Sequence, residues 1–365
     1  VAITRDEEIK QLEAQADTLQ RRLRLLEQQI AGYGSLAVPA HKILEHEEAQ
    51  HALDQTHEQL KQLREAPIAA DAPYLGLLTF QESDADRFFG REALLSDLVG
   101  MVRAVAFLAV LGPSGSGKSS VVRAGLIPAL KRGALPGSER WRYATLKPGP
   151  RPLDALATTL AALHGGDLAS ILALSSMLAG DRRALLRAAD ILLAGQEGAR
   201  LVLLVDQAEE LWTLAPAEPE ARAGFVEQQQ LPFIQQLLSA LAVPSSPLLI
   251  IFTMRADFLH RAAEHPELAR AIGEHDVIVS PMTSDDLRMA ITRPAEATGT
   301  TFDPGMVDVL IDQTTNRPGA LPLLEYTLQE LWRSKQPDGL MTWEALRALG
   351  GVEGALAARA DAVLT

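Results

Sequence analysis

Residues 112–120 read Gly112-Pro113-Ser114-Gly115-Ser116-Gly117-Lys118-Ser119-Ser120, a glycine-rich loop closed by a lysine and two hydroxyls. The spacing G-x-x-x-x-G-K-[ST] suits one chemistry, the cradling of phosphate. Gly112, Gly115 and Gly117 let the backbone wrap closely, so that its N–H groups and the start of the following helix face an anion. Lys118 would bring a point charge to the β- and γ-phosphates, and the Ser119 hydroxyl a ligand for Mg²⁺. A second stretch, Arg200 to Glu210, is an aliphatic run that ends in Asp206. A carboxylate at the end of such a strand can reach the same Mg²⁺. Hydrolysis also needs a carboxylate to orient or deprotonate water. Gln207 follows Asp206 directly, and Glu209 and Glu210 sit three and four residues on as the candidates. A third apolar run, Leu248 to Met254, ends in Arg255. Beside a phosphate site, that arginine would pair with charge present in ATP and lost in ADP. The same spacing also suits an ion pair with Asp257.

These groups need elements to hold them. Apolar runs at 104–111, 141–146, 200–205 and 248–255 read as strands, separated by helical patterns. From Ser119 to Leu130, the residues Val121, Val122, Leu126 and Leu130 can share one helical face. Residues 153–195 are alanine- and leucine-rich and helical, with Met177 expected in the core. Alternating strands and helices predict an α/β fold with a parallel sheet. Beyond residue 282 the pattern turns helical, and Pro294, Pro304-Gly305 and Pro318-Gly319 read as turns between short helices. At the other end, Ile9, Leu12, Ala16, Leu19, Leu23, Leu26 and Ile30 form an a/d seam, followed by Gly32-Tyr33-Gly34 and a weaker seam returning through Leu53 and Leu60. This predicts an α-helical coiled-coil hairpin, a docking or oligomerisation device. His41, His46, His51 and His57 do not share one helical face, which argues against a metal site there. The expected organisation is a hairpin over 1–65, a linker over 66–85, a phosphate-binding domain over 86–282 and a helical lid over 283–340. The start of a further domain occupies 341–365.

At 365 residues the chain is long enough for a sizeable core and about two or three units. A net charge of −13 gives no global attraction to nucleic acid or anionic membrane. The absence of cysteine rules out a disulfide framework and fits a reducing cytoplasm. Neither a membrane span nor a signal peptide is expected. Starting at Val1, the sequence reads as a piece of something longer.

Phe88-Phe89-Gly90-Arg91-Glu92 followed by the Gly112–Ser120 loop resembles the bacterial STAND NTPases, signal-transduction ATPases with numerous domains. Within them it is most similar to the branch often fused to WD40 repeats. On spacing alone Arg91 fits a surface arginine as well as a ligand contact. The resemblance implies that it lies against the nucleotide. It also implies that Glu209 and Glu210 occupy a NACHT-type acidic position, and that Arg255 is the sensor of the γ-phosphate. Pro322, otherwise a first-turn proline, falls where the family carries Gly-x-Pro, whose proline contacts adenine and ribose. Here Ala320 stands at the glycine position and Gly319 one residue early. Thr342 to Asp361 resembles the start of the winged-helix domain that follows in the family. The resemblance implies an ATP/ADP- and Mg²⁺-dependent switch that hydrolyses slowly, self-associates and drives a protein effector or sensor domain. A different reading is a scaffold with structural nucleotide, the hairpin carrying the function. A transport or DNA ATPase with a coiled coil is disfavoured by the acidic charge and the lack of a Leu-Ser-Gly-Gly signature.

Overall fold

The structure, a computed structural model, describes residues 72–352 apart from 245, 316 and 318, together with the isolated positions 26 and 354. The expected hairpin over 1–65 lies outside the described residues, as does most of 353–365. The described body belongs to one compact unit, Pro73–Ala358.

Its centre is a parallel sheet of β1 (Phe107–Gly112), β2 (Arg142–Leu146), β3 (Leu201–Val205), β4 (Leu248–Arg255) and β5 (Asp276–Ile278), in the order β2-β3-β4-β1-β5. The three central strands β3, β4 and β1 are buried and apolar almost throughout because helices cover both faces, whereas the edge strands β2 and β5 are partly exposed. Alternation assigns the faces. Phe107, Ala109 and Leu111 pack with Leu201, Leu203, Ile250 and Phe252 on one side. Leu108, Val110, Val202, Leu204, Leu249 and Ile251 pack on the other. Against this second face lie α1 (Glu92–Val102) and α2, which runs from Lys118–Ser120 through a π-helical stretch, Val121–Leu126, to Ile127–Lys131. Val121, Val122, Leu126 and Leu130 are buried together, as their spacing predicts. A Cβ at Gly125 would stand 2.4 Å from Leu95 Cδ2, so the glycine sets how closely α1 and α2 approach.

A second core forms the lid. It is built from α3 (Ser284–Ala297), α4 (Met306–Thr314), α5 (Ala320–Arg333) and α6 (Trp343–Ala348), with β6 (Thr301–Phe302) paired to β7 (Leu340–Met341). Thr283 and Asp286 cap α3 reciprocally. Leu287, Ile291, Met306, Leu310, Leu324 and Leu328 share this core with Met341, Leu346 and Val352. No break therefore falls at residue 340: the stretch to Val352 is part of the lid.

Three expectations change. Pro294 does not mark a turn but sits inside α3, buried, where a missing N–H costs one helical bond and the packing of Leu287, Ile291 and Ala295 carries the helix through. Met177 is not core: it is 47 % exposed while its neighbour Leu178 is buried. The helix Leu168–Gly180 is apolar on several sides, so composition alone cannot say which side meets the sheet. The expected linker is also no free connection over 72–85. Tyr74 is fully buried in the lid core, and its hydroxyl donates to the Ile291 carbonyl at 2.5 Å. Gly76 has φ +65°, and a Cβ there would meet Gln329 Oε1 at 2.4 Å. Residues 73–80 are thus a strap laid on α3 and α5.

Chemical denaturation should rank two variants of the strap. Tyr74→Phe loses one buried hydrogen bond, about 1 kcal/mol, whereas Tyr74→Ala also empties an aromatic site, roughly 3–5 kcal/mol. Equal losses would contradict the packing described.

Candidate nucleotide site

The strand register builds the site. Gly112 at the end of β1 pairs with Arg255 of β4, and Val205 of β3 pairs with Phe252. Gly112, Asp206, Thr253 and Arg255 therefore emerge at one carboxyl edge of the sheet, where open α/β sheets bind ligands. The loop that follows β1 turns through Gly115 (φ +74°) and Gly117 (φ +88°), conformations that suit glycine, and delivers Lys118 into α2. Lys118 Nζ donates to the Gly112 and Pro113 carbonyls at 3.0 and 2.8 Å. Burial lowers its pKa, against the opposing charge of Glu209. Ser116 Oγ is buried with no hydrogen-bond partner among the described residues.

Asp206 is 1 % exposed and collects three donors from two elements, α2 and β4. Its Oδ1 accepts from Ser119 Oγ at 2.6 Å and from Thr253 Oγ1 at 2.5 Å. Its Oδ2 accepts from Arg123 Nε at 2.9 Å, with Nη2 at 2.8 Å. Gln207 adopts φ +57°, held by its N–H to Thr253 Oγ1 at 2.9 Å. Beyond it the two glutamates part. Glu209 lines the cavity and accepts from the Arg255 N–H at 3.3 Å. Glu210 accepts from the Gly149 N–H at 3.0 Å, tied to the loop after β2 and away from the cavity lining. Arg255 also lines the cavity, and its guanidinium is paired with Asp257 at 2.6 and 3.1 Å, over the Phe258 ring. That pairing raises the Arg255 pKa and lowers that of Asp257. The ion pair with Asp257 that the spacing suits is thus formed, by a residue that lines the cavity.

Arg91 is 7 % exposed and donates to the Ser116 carbonyl at 3.1 Å and the Ser280 carbonyl at 2.9 Å. It braces the phosphate loop and lines the same cavity, and burial lowers its pKa against the charge of Asp286. From the lid, Pro322 packs so near the loop that a Cβ at Gly115 would stand 3.2 Å from its ring. The cavity lining is mixed. Ser114 to Ser120, Thr253, Glu209 and Arg255 supply polar groups. Gly76 to Phe80, Met282, Ala290, Leu321, Pro322, Leu324 and Glu325 supply a largely apolar remainder. Pro113 lines an adjoining cavity with Arg91 and Gly319.

These residues fit an anion and a divalent cation. The two left-handed glycines and the orphaned Ser116 hydroxyl suit phosphate oxygens. Ser119 and Asp206 offer adjacent oxygens. No cluster of three or more His, Asp or Glu side chains suited to a metal occurs among the described residues. A cation here would draw its other ligands from phosphate and water, the habit of Mg²⁺.

Three residues escape the sequence reading. Arg123 lies four residues after Ser119 on one helical face, a signal that was available. Thr253 is a lone hydroxyl in an otherwise apolar strand. Glu325 is an acid on the inward side of α5, and burial raises its pKa to about 8.

Glycine loop, lysine, hydroxyl and buried strand-end carboxylate on a parallel sheet define a P-loop nucleotide-binding NTPase. The chain belongs to the novel STAND NTPase 1 family, whose model matches residues 73–365. No curated protein matches it. Among solved structures, it is similar to Aeropyrum pernix ORC2 in its ADPNP–ADP complexes (14 % identity, TM-score 0.47), covering 74 % of this chain and 66 % of that one. It is also similar to A. pernix ORC1 in complex with DNA (17 %, TM-score 0.47), covering 76 % and 67 %. A third is a Walker-type ATPase of Pyrococcus abyssi (13 %, TM-score 0.44), covering 68 % and 69 %. The chain spans just under two thirds of the length of ORC2. No helix among the described residues is long and apolar enough to cross a membrane.

The raised Glu325 pKa carries a stability consequence. The unfolded carboxyl ionises near 4.5 and the folded one near 8, so the folded state holds the extra proton between those values. Stability relative to Glu325→Gln should be greatest below about pH 4.5 and fall as pH rises to about 8. Melting temperatures of the two proteins across that window test this; parallel curves would contradict it.

Proposed function

We propose that this chain is a nucleotide-dependent switch of the STAND type, binding Mg-ATP and ADP and coupling nucleotide state to lid position. The observation that carries the reading is the shared cavity: Pro322 of the lid rests on Gly115 of the phosphate loop, and both line the same space. A ligand there touches core and lid together, so its affinity depends on the lid. To move such an equilibrium from 1:99 to 99:1 takes roughly 5.5 kcal/mol of differential binding.

In this reading Gly112 to Ser120 hold the phosphates, and Lys118 exchanges its two carbonyl acceptors for phosphate oxygens. Ser119 and Asp206 hold Mg²⁺, which would neutralise phosphate charge when bound. Arg123 and Thr253 hold Asp206 in place. Glu209, in the cavity, orients or deprotonates the attacking water, and Glu210, held by Gly149, supports the turn that presents it. Arg255 leaves Asp257 for the γ-phosphate. Arg91 positions the loop through Ser116, and Pro322 closes over the sugar and base. Slow hydrolysis then resets the switch. Self-association and a protein effector or sensor in the same or a partner chain complete the proposal. Nucleic acid is not included, given the net charge of −13.

Nucleotide released on denaturing the freshly purified protein is the first measurement. Stoichiometric ADP supports a closed off-state, and an empty site counts against a clamp within this chain. Lys118→Ala should abolish tight nucleotide binding; unchanged affinity would sink the assignment. Turnover should fall by about 10²-fold or more in Glu209→Gln and by much less in Glu210→Gln. Turnover indifferent to both would favour the scaffold reading, with nucleotide as a structural ligand.

A further inference from the structure

The turn after β3 holds a residue whose conformation the phosphate chemistry leaves unexplained. Gln207 has φ +57°, and no other non-glycine residue among those described has a positive φ. A Cβ disfavours that region, so glycine or asparagine would make the same turn more easily. The backbone is held there from β4. The Gln207 N–H donates to Thr253 Oγ1 at 2.9 Å, and the Ala208 N–H to the Thr253 carbonyl at 2.8 Å. The glutamine side chain plays no part in this, since its amide makes no hydrogen bond among the described residues. It lines the cavity instead, together with Lys118, Ser119, Glu209 and Arg255. An amide without a partner, carried on a strained turn into a cavity wall, is placed for a ligand.

We propose that Gln207 contacts the reacting end of a bound nucleoside triphosphate, its NH₂ donating to a γ-phosphate oxygen and its carbonyl accepting from the attacking water. The inference rests on the reading above of a switch that hydrolyses its nucleotide. An amide suits this place because it offers donors and an acceptor at once and stays neutral, where a further carboxylate would repel phosphate. In the step it serves, the water oxygen bonds to the γ-phosphorus and the bond from phosphorus to the β-bridging oxygen breaks. The electron pair of that bond leaves with ADP. The water proton passes to Glu209 and from there to solvent. Gln207 takes up no proton and aligns the two reactants.

Two substitutions in the full chain separate the amide from the turn. Gln207→Gly relaxes the left-handed backbone and removes the side chain, whereas Gln207→Met keeps its length and the strain and removes the amide. Single-turnover hydrolysis of Mg-ATP should slow about tenfold or more in both. ADP affinity should stay within about twofold of wild type, because ADP lacks the phosphate that the amide meets. By titration calorimetry, the preference for a non-hydrolysable ATP analogue over ADP should fall about fivefold in both. Gln207→Gly should melt no lower than wild type, since the turn hangs on Thr253 and not on the glutamine. Hydrolysis and analogue preference unchanged in Gln207→Met would overturn the inference. So would a Gly variant that melts lower and loses ADP along with turnover, which would make Gln207 a part of the turn alone. Should either variant not fold, the other still decides. A wild type that binds ADP but never turns over ATP removes hydrolysis from the switch, and the inference with it. A wild type that binds neither nucleotide overturns the nucleotide reading itself.

Discussion

A carboxylate buried to 1 % exposure at the end of a strand is the constraint around which this site is arranged. A carboxylate so placed needs donors, because desolvating an unpaired charge costs several kcal/mol. The fold supplies them from different directions: Ser119 and Arg123 from one helix, Thr253 from the adjacent strand. Each donor has its own reason to be near. β4 lies between β1 and β3, which puts Thr253 next to Asp206, and α2 starts directly after the glycine loop, which puts Ser119 and Arg123 above it. Strand order and side-chain chemistry thus constrain each other: with β1 and β3 as direct neighbours, Thr253 would have no place in the site.

The same economy runs through the lid. Its core is apolar and independent of the sheet, yet its contacts to the rest of the body fall on functional elements. Pro322 meets Gly115, and a Cβ at Gly90, just before Arg91, would clash with the Asp286 carbonyl at 2.3 Å. Phosphate loop, arginine brace and lid are therefore packed side by side. A shift of α3 or α5 changes the shape of the cavity without disturbing the sheet.

The phosphate loop and the strands were legible because their chemistry is local: glycine spacing fixes a backbone path, and an aliphatic run ending in Asp206 needs nothing from afar. Glu209 and Glu210 are adjacent in sequence and chemically alike, and their surroundings differ only in space: Glu209 lines the cavity, while Glu210 is bonded at 3.0 Å to Gly149. The strap resisted reading for the opposite reason. Ala-Pro-rich sequence around Pro73 looks like a connection, and nothing local announces that Tyr74 completes a core built from residues beyond 280. Pro294 misled in the same way, since a rule about helix breaking holds only where packing does not override it. Glu325 sits between these cases: its position on an apolar helix face was visible, the burial that raises its pKa was not.

Tyr74 and Ile291 are 217 positions apart. During synthesis at about 5–20 residues per second, Tyr74 and the leucines beside it wait roughly 10–40 s for α3 to exist. The sheet can assemble in that interval, but the lid cannot, since its earliest-made residue is also among its most buried. The order of manufacture therefore makes the lid the last part to close, with the strap exposed until then.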